Sequence, residues 1–365
     1  MKIVYLLQVM GFESLPYNKS GLWTVNFTRR SLRRYTVVVV SLLSTRCSLW
    51  GDDVRYAGWV INLRMNCMRP TALAFFIVLL GLLHASLAVA QSAVQAISNG
   101  VLQQVIEIER DLDARVGLFL HDIDSGELVT HAADDRFPLN STFKLFACAA
   151  LMARVEAGVS ALNTQVKIDE QELVPWSPSL ERMLEAGRKH ASFDELCAAM
   201  LSVSDNSAAN LILREIGGPQ GFTRYMRSIG DTVTRLDRWE PELNEGLPND
   251  PRDTTTPAAI GRSLERILLG QALAPSSREK LEHWLSGHLV AGDLFRSALP
   301  ESWSIHDRTG AGNNGTRGIV AVIYRANQGP LVATMYMRDA NVSLATLDAA
   351  IARVGSAIFT QFGED

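Results

Sequence analysis

Residues 141–144 pair a possible nucleophile with a possible base. Ser141 and Lys144 are the ends of this segment, and the apolar run that follows, from Leu145 to Ala157, predicts a helix. Side chains three residues apart lie on one face of a helix, so the lysine amine would be within reach of the serine hydroxyl. A helix N-terminus also favours negative charge on that oxygen. The segment therefore predicts nucleophilic catalysis by Ser141.

The same spacing recurs at Ser277 and Lys280, in a polar stretch that begins another predicted helix. At least one of the two matches is therefore coincidental, and the spacing alone does not establish a nucleophile. The alternative at Ser141 is an ordinary helix start with a lysine in solvent.

Two further motifs follow along the chain. Ser204-Asp205-Asn206 lies between two predicted helices, and Arg308-Thr309-Gly310 ends a predicted strand and leads into a glycine turn. Ser-x-x-Lys, then Ser-Asp-Asn, then a basic residue before Thr-Gly, in this order, is the signature of serine β-lactamases and penicillin-binding proteins. The chain resembles these proteins in all three motifs.

A fourth segment narrows the resemblance to class A β-lactamases. The run from Arg238 to Asn244, RWEPELN, resembles the Ω-loop motif of that class, and the Ω-loop would span about residues 235–253. A carboxylate and an amide four residues apart, Glu240 and Asn244, can hold one water between them, and an acyl-enzyme needs such a base in order to be hydrolysed. The alternative, an exposed acidic loop, suits Glu242 or Glu245 better than Glu240.

The elements that must position these motifs fall into two groups. In residues 91–365, strand patterns occur near both ends of the segment. Helical periodicity fills the region between them. The predicted terminal elements are 93–115, 116–120, 128–129, 303–308, 319–324, 331–337 and 344–362. Because an isolated hairpin is marginal in water, the N-terminal hairpin is expected to join the three C-terminal strands in one sheet.

The resemblance covers Ser92 to Phe362 and implies the fold of the class. That fold is α+β: a five-stranded antiparallel sheet flanked by the terminal helices, together with an all-helical domain. In this numbering the discontinuous α/β domain comprises residues 91–136 and 288–365. The helical domain, which includes the Ω-loop, comprises residues 137–287.

The resemblance also implies a role for each site residue. Ser141 attacks the lactam carbonyl, Lys144 and Glu240 are the candidate bases, and which of them serves acylation stays open. Ser204 passes a proton towards the leaving nitrogen. The backbone N–H groups of Ser141 and Ala311 form the oxyanion hole. The residues expected to bind substrate are Asn206, Asn244, Arg308, Thr309, Gly310, Ala311, Arg317 and Trp176.

Arg308 departs from the commonest pattern of the class, which has lysine at this position. Arginine here resembles the carbenicillin-hydrolysing branch. Its guanidinium stays charged and presents a planar fork, so a penicillin with a second carboxylate gains an attractive partner. Trp176 resembles the aromatic residue beside the site entrance, and the alternative is a core tryptophan.

Structural residues of the class have counterparts as well. Cys148 and Cys197 stand where many class A enzymes carry a disulfide, and an oxidising compartment would favour that bond over two buried thiols. Arg238 and Asp253 match the ion pair that anchors the Ω-loop. Asn210 matches the asparagine that supports this loop.

Residues 68–90 form a predicted secretory signal peptide. Met68-Arg69-Pro70 precedes an apolar run that ends in Ala88-Val89-Ala90, which predicts cleavage before Gln91 and a periplasmic enzyme. An uncleaved membrane anchor is the alternative. Residues 1–67 would then come from a start codon assigned too far upstream, or would form a basic cytoplasmic extension.

Charge and motif content limit the expected partners. The net charge is -4 and the last three quarters of the sequence has no long basic run, which disfavours nucleic acid. No His and Cys cluster has zinc spacing, so neither a metal nor a cofactor is expected. Residues 310–315, GAGNNG, fit a dinucleotide fingerprint, but a predicted strand rather than a helix follows them. A monomer acting on small β-lactams is expected.

Two other functions share part of this signature. A penicillin-binding DD-peptidase has the first three motifs and releases its acyl-enzyme slowly, and a non-catalytic penicillin sensor binds the drug and signals. Glu240 and Asn244 favour a hydrolase over both. Steady turnover of a penicillin would indicate hydrolysis, whereas a single stoichiometric burst would indicate one of the alternatives.

Overall fold

A five-stranded antiparallel sheet lies at the centre of the molecule. The structure, a computed structural model, describes residues 100–363. The strands of the described chain, inside and outside this sheet, are β1 (Arg115–Asp122), β2 (Leu128–His131), β3 (Phe137–Pro138), β4 (Gln165–Lys167), β5 (His190–Ser192), β6 (Thr254–Thr255), β7 (Ser304–Ala311), β8 (Arg317–Tyr324) and β9 (Leu331–Arg338). The sheet order is β2-β1-β9-β8-β7, so the N-terminal hairpin joins the C-terminal strands where β1 pairs with β9. The predicted sheet is confirmed.

Most of the helices lie between β3 and β7. The helices of the described chain are α1 (residues 100–112), α2 (Phe143–Glu156), α3 (Pro178–Glu185), α4 (Phe193–Ser202), α5 (Asn206–Glu215), α6 (Gly218–Ser228), α7 (Pro257–Leu264), α8 (Pro275–Ser286) and α9 (Leu344–Phe362). Together with the sheet they form the α+β fold expected from the sequence.

Both faces of the sheet are covered. Alternate side chains of a strand point to opposite faces, and in β8 Ile319, Ala321 and Ile323 pack with the terminal helices α1 and α9. Val320 and Val322 belong instead to the core that the central helices form. Burial on both sides explains why β8 is apolar at successive positions rather than at alternate ones.

The structure corrects several predicted boundaries. The first helix ends at residue 112 rather than 115, because Asp113 has a φ of 47°, which a helix cannot continue through. Within the central helical region, Pro257–Leu264 is α-helical and Glu265–Leu269 continues it as a π-helical turn. Two short antiparallel ladders, β3–β6 and β4–β5, interrupt the helical region. Ladders of two or three residues are too short for alternation to reveal them.

One covalent link joins two central helices. Cys148 of α2 and Cys197 of α4 form a disulfide, with Cα atoms 6.0 Å apart. Both cysteines are buried in the main core. The expected disulfide is therefore confirmed, and the alternative of two free thiols is wrong. The bond ties the helix that begins beside Ser141 to the one that leads to Ser204.

No helix from residue 100 to residue 363 is both long enough and apolar enough to span a bilayer. The predicted signal peptide, residues 68–90, and the prefix, residues 1–67, lie outside the described residues.

Reduction of the Cys148–Cys197 bond should destabilise the protein. The bond closes a loop with a sequence separation of 49 residues, and removing such a crosslink raises the entropy of the unfolded chain. We expect the free energy of unfolding in urea to fall by about 2–4 kcal/mol in the presence of dithiothreitol. The matched control is Cys148→Ala/Cys197→Ala, which should not respond to the reductant. Equal responses of the two proteins would contradict a stabilising role for this disulfide.

Candidate active site

Ser141 lies at the start of α2, in the single 3-10 turn Asn140–Thr142 that leads directly into the helix. Thr142 fixes this turn, because its hydroxyl lies 2.6 Å from the Leu139 carbonyl oxygen and 2.8 Å from the hydroxyl of Tyr336 in β9. The turn is thereby attached to the sheet. A helix N-terminus supplies partial positive charge where an oxyanion would form on the serine.

Strand β7 passes directly beside Ser141. A Cβ atom on Gly310 would lie 2.9 Å from the backbone nitrogen of Ser141, so only glycine permits this approach. Ala311 ends β7 and pairs with Arg317 of β8. The close approach places the backbone of β7 beside that of Ser141, and Ala311 follows Gly310 at the end of this strand.

The Lys144 ammonium is the centre of the site. It is fully buried, and its Nζ lies 3.0 Å from Ser141 Oγ, 3.1 Å from Ser204 Oγ and 2.9 Å from the Ser204 carbonyl oxygen. Nζ also lies 2.6 Å from Asn206 Oδ1 and 3.0 Å from Glu240 Oε1. An ammonium has three hydrogens, so these oxygens share its donors. One charge thus holds the three predicted catalytic side chains together.

Burial changes the basicity of this lysine. Loss of hydration lowers the pKa of Lys144 to about 8, against the opposing attraction of the Glu240 carboxylate, and the positive charge of Arg308 lowers it further. Burial thus makes the free amine of Lys144 more accessible than that of an exposed lysine. It can therefore take the proton of the serine hydroxyl, which contacts it directly.

The Ser204-Asp205-Asn206 segment enters the site as the loop before α5. Asp205 is fully buried and caps α5, since its Oδ1 accepts from Ala208 N at 2.8 Å. Ser204 has a φ of 65°, a sparsely populated conformation for a non-glycine residue. This backbone turn lets the Ser204 carbonyl reach Lys144 while its hydroxyl donates to Ser141 Oγ at 3.0 Å. Asn206 faces Lys144 and the Pro175 carbonyl.

Glu240 reaches the site from the Ω-loop, residues 235–253. Only 2% of its surface is exposed. Asn210 of α5 holds its backbone from both sides: Asn210 Nδ2 donates to the Glu240 carbonyl at 2.9 Å, and Glu240 N donates to Asn210 Oδ1 at 3.0 Å. Asn244 Nδ2 donates to Glu240 Oε2. Glu242, by contrast, is exposed.

Arg238 and Asp253 tie the two ends of the Ω-loop together. Arg238 Nε donates to Asp253 Oδ2 at 2.6 Å, and the other carboxylate oxygen accepts from the backbone nitrogens of Asp237 and Arg238 at 2.7 and 3.0 Å. Asp253 is 1% exposed. A charge-assisted pair with further backbone donors is stronger than a simple surface ion pair.

The basic residues expected to bind a carboxylate lie on β7 and β8. Arg308 is fully buried, and loss of hydration lowers its pKa to about 10, so it remains charged at neutral pH. Arg317 Nε pairs with Asp348 of α9 at 2.6 Å, and its Nη1 donates to the Gly310 carbonyl at 3.1 Å. Thr309 lies between them in the chain and is 3% exposed.

Trp176 is a surface residue, with 60% of its area exposed, so the alternative of a core tryptophan is wrong. Its indole Nε1 donates to the Val203 carbonyl at 3.0 Å, next to Ser204. The backbone N–H of Asn206 donates to the Trp176 carbonyl at 2.9 Å. The ring is therefore fixed close to the segment that carries the second serine.

The second Ser-x-x-Lys match, residues 277–280, and the dinucleotide-like segment, residues 310–315, both have structural explanations. Lys280 pairs with Asp194 at 2.7 Å and lies over the Trp284 ring, away from the Lys144 contacts. Residues 310–315 comprise the end of β7 and most of the turn before β8, and a strand rather than a helix follows them. From residue 100 to residue 363, no group of three or more His, Cys, Asp or Glu side chains is placed to hold a metal ion.

Sequence reasoning assigned no function to two residues of the site region. Asp205 Oδ2 accepts from the backbone nitrogens of Ser179 and Leu180, which fixes the start of α3 beside the site. An aspartate at a helix start was a signal that could have indicated this cap. His288 contacts Arg308, and nothing in the spacing of an isolated histidine predicts that contact.

A serine hydroxyl in contact with a buried lysine and a second hydroxyl, beside a buried carboxylate, is the arrangement that acyl transfer through serine requires. The fold and the site thus define a serine acyl-transfer enzyme. A model of the β-lactamase enzyme family matches residues 101–362. β-Lactamase AER-1 of Aeromonas hydrophila is 48% identical over 255 residues, which cover 70% of this chain and 83% of that protein.

Two solved structures are similar throughout their length. The chromosome-encoded β-lactamase of Vibrio parahaemolyticus has a TM-score of 0.70 and 41% identity, covering 73% of this chain and 100% of that one. The class A β-lactamase of the last common ancestor of Gram-negative bacteria has a TM-score of 0.70 and 40% identity, covering 73% and 99%. The chain therefore belongs to the β-lactamase family. It is a class A serine β-lactamase, a hydrolase that acts on β-lactams and confers resistance to them.

Asp253→Asn should loosen the Ω-loop. The variant keeps the shape of the side chain but removes the buried negative charge that pairs with Arg238. That guanidinium then keeps only its partly exposed partner, Glu245. We expect the free energy of unfolding to fall by about 2 kcal/mol and cleavage of the loop by protease in the folded protein to accelerate. Asp250→Asn, in the same loop and paired with Arg252 two residues further on, is the control. Unchanged stability in Asp253→Asn would refute the anchoring role.

Proposed function

We propose that this enzyme hydrolyses penicillins, including carboxypenicillins, through an acyl-enzyme on Ser141 that a water activated by Glu240 releases. The observation that carries the proposal is the double contact of Lys144 Nζ, which lies 3.0 Å from Ser141 Oγ and 3.0 Å from Glu240 Oε1. A single buried amine thus connects the nucleophile to the second base. Proton transfer between the two halves of the reaction needs such a connection.

In acylation, Ser141 Oγ attacks the lactam carbonyl carbon while its proton passes to Lys144, directly or with Glu240 acting through water. The carbonyl becomes an oxyanion that the backbone N–H groups of Ser141 and Ala311 stabilise. The C–N bond of the ring then breaks, and the nitrogen takes a proton through Ser204. The hydroxyl-to-hydroxyl distance of 3.0 Å between Ser204 and Ser141 supports this route.

In deacylation, Glu240 takes a proton from a water that attacks the ester carbonyl. Breaking of the ester bond releases the opened acid and returns a proton to Ser141 Oγ. The buried carboxylate of Glu240, its contact with Asn244 Nδ2, and the support of its backbone by Asn210 favour this role. Glu240 and Asn244 together would orient the water.

The substrate carboxylate is assigned to Arg308, Thr309 and Arg317. Among the described residues, Nε and Nη2 of Arg308 have no hydrogen-bond partner, although the side chain is fully buried. Buried donors of a charged group are rarely left unpaired in a finished complex. They fit an incoming carboxylate, and the second carboxylate of a carboxypenicillin would gain from the same positive charge. This is the physical basis for the resemblance to the carbenicillin-hydrolysing branch.

The remaining substrate contacts come from both sides of the site. Asn206 would bind the side-chain amide of the penicillin, and exposed Trp176 would flank its entrance. Gly310 and Ala311 would line the opposite side. The α/β domain is proposed to comprise residues 91–136 and 288–365, and the helical domain residues 137–287. We also propose that the chain acts as a periplasmic monomer after removal of residues 68–90, with residues 1–67 arising from an upstream start codon.

Glu240→Ala should stop the reaction at the acyl-enzyme. Loss of the carboxylate removes the base for the deacylating water but leaves Lys144 beside Ser141. With benzylpenicillin the wild type should turn over steadily, whereas the variant should give one stoichiometric burst and a covalent adduct on Ser141 visible by mass spectrometry. We expect turnover to fall at least about 10³-fold. Glu242→Ala, which alters an exposed carboxylate of the same loop, should resemble the wild type.

Two outcomes of that experiment would contradict the proposal. Steady turnover by Glu240→Ala without an adduct would show that another group activates the water. A single burst from the wild type itself would favour a DD-peptidase or a penicillin sensor over a hydrolase.

Arg308→Lys should reduce the preference for carboxypenicillins. Lysine keeps the charge but loses the planar fork of the guanidinium. The variant should therefore bind the second carboxylate of a carboxypenicillin less well. We expect kcat/KM for carbenicillin, relative to benzylpenicillin, to fall about fivefold, or ~1 kcal/mol. Because both substrates are measured on one protein, a general loss of folding cancels in the ratio. An unchanged ratio would remove the basis for the carboxypenicillin assignment.

A further inference from the structure

The buried Arg308 guanidinium is held from one side. Its Nη1 lies 2.7 Å from Nε2 of His288, which is itself 5% exposed. Nε and Nη2 of Arg308 have no hydrogen-bond partner anywhere in residues 100–363. His288 follows α8 in the chain, so its position does not depend on the strand that carries Arg308.

The contact determines the protonation of His288. A guanidinium has donors and no acceptor, so Nε2 of the histidine must be the acceptor and must lack a proton. The proton of the neutral ring is then on Nδ1, which donates to Asp307 Oδ1 at 3.3 Å. Burial lowers the pKa of His288, and the charged groups that face it are Asp307, Arg308 and Arg296. The neutral ring is the form that fits both neighbours.

The negative charge of Asp307 is compensated elsewhere. Arg296 Nε and Nη2 donate to Asp307 Oδ1 at 2.9 and 2.6 Å. His288 therefore lies between the Asp307–Arg296 ion pair and the Arg308 guanidinium, whose Nε and Nη2 have no partner among the described residues. A carboxylate in the place of His288 would attract Arg308 more strongly, but it would also neutralise the charge that the substrate needs. A neutral acceptor orients the guanidinium without competing for it.

We propose that His288 is a positioning residue for carboxylate recognition: its neutral Nε2 fixes Nη1 of Arg308, so that Nε and Nη2 face the substrate carboxylate. The proposal rests on the assignment of Arg308 to that carboxylate. His288 touches no reacting atom and acts through Arg308. Its effect should therefore fall on binding of the carboxylate and hardly at all on the chemistry at Ser141.

Two substitutions separate the contacts of His288. His288→Asn places an amide near the position of Nδ1, so it retains a partner for Asp307 and loses the contact with Arg308. His288→Gln places its oxygen near the position of Nε2 and retains the contact with Arg308. If His288 had only a structural role, His288→Asn would not bind a carboxylate more weakly than His288→Gln does. Unfolding in urea reports whether each one folds.

The readout is a pair of boronic acids that form a reversible bond to the active serine, identical except that one bears a carboxylate and the other a methyl group. For His288→Asn we expect the inhibition constant of the carboxylate compound to rise about tenfold and that of the methyl compound to stay within about twofold. His288→Gln should restore most of the loss. With benzylpenicillin, KM should rise more than kcat falls.

The Arg308→Ala variant separates a failure of the carboxylate assignment of Arg308 from a failure of the positioning role of His288. We expect this variant to lose the preference for the carboxylate compound, and His288→Asn to add nothing in the Arg308→Ala background. If Arg308→Ala removes the preference and His288→Asn keeps it, the positioning role is overturned and the carboxylate site stands. If Arg308→Ala keeps the preference, both assignments fail. Equal weakening of the two boronic acids by His288→Asn would also overturn the positioning role.

Discussion

The burial of one ammonium group, that of Lys144, is the constraint on which the rest of the site depends. Moving such a charge out of water costs several kcal/mol unless charged and polar partners replace its hydration shell. Those partners come from separate parts of the chain: Ser141 at the start of α2, Ser204 and Asn206 at the start of α5, and Glu240 from the Ω-loop. Stable burial of the lysine and assembly of the site are therefore one event. The same burial lowers the pKa of Lys144 to about 8, which suits it to move protons near neutral pH.

The surrounding fold keeps these partners in place by redundant attachment. The Ser141 turn is bonded to Tyr336 in the sheet, and β7 approaches it through Gly310. The Ω-loop is closed by Arg238 and Asp253 and supported by Asn210, and these contacts fall on its backbone as well as on its side chains. Rigid support of this kind matters because small displacements of catalytic groups greatly reduce rates. The disulfide adds a covalent link between α2 and α4 within the same core.

Much of this was predictable because motif order and spacing survive in a linear sequence. The three motifs and the Ω-loop segment identified the family, and alternation and helical periodicity located the sheet and the long helices. The errors have local causes. The two short ladders are below the length at which alternation is visible, and the end of the first helix was set by the positive φ of Asp113. The sequence did not decide whether Trp176 is buried or exposed, because a tryptophan beside prolines fits a core and the edge of a site equally well.

The sequence by itself determined the class of enzyme, the candidate nucleophile and its lysine, the glutamate of the Ω-loop and the unusual arginine at position 308, since these are properties of residue type and spacing. Only the tertiary structure decided that Lys144 touches Glu240, that Arg308 is wholly buried, and that His288 approaches it as a neutral acceptor. Contacts between residues 20 or 96 positions apart, as between His288 and Arg308 or Lys144 and Glu240, arise from the packing of separate elements. Hydration, burial and the direction of a hydrogen bond are properties of that packing, and no pattern in the chain encodes them one residue at a time.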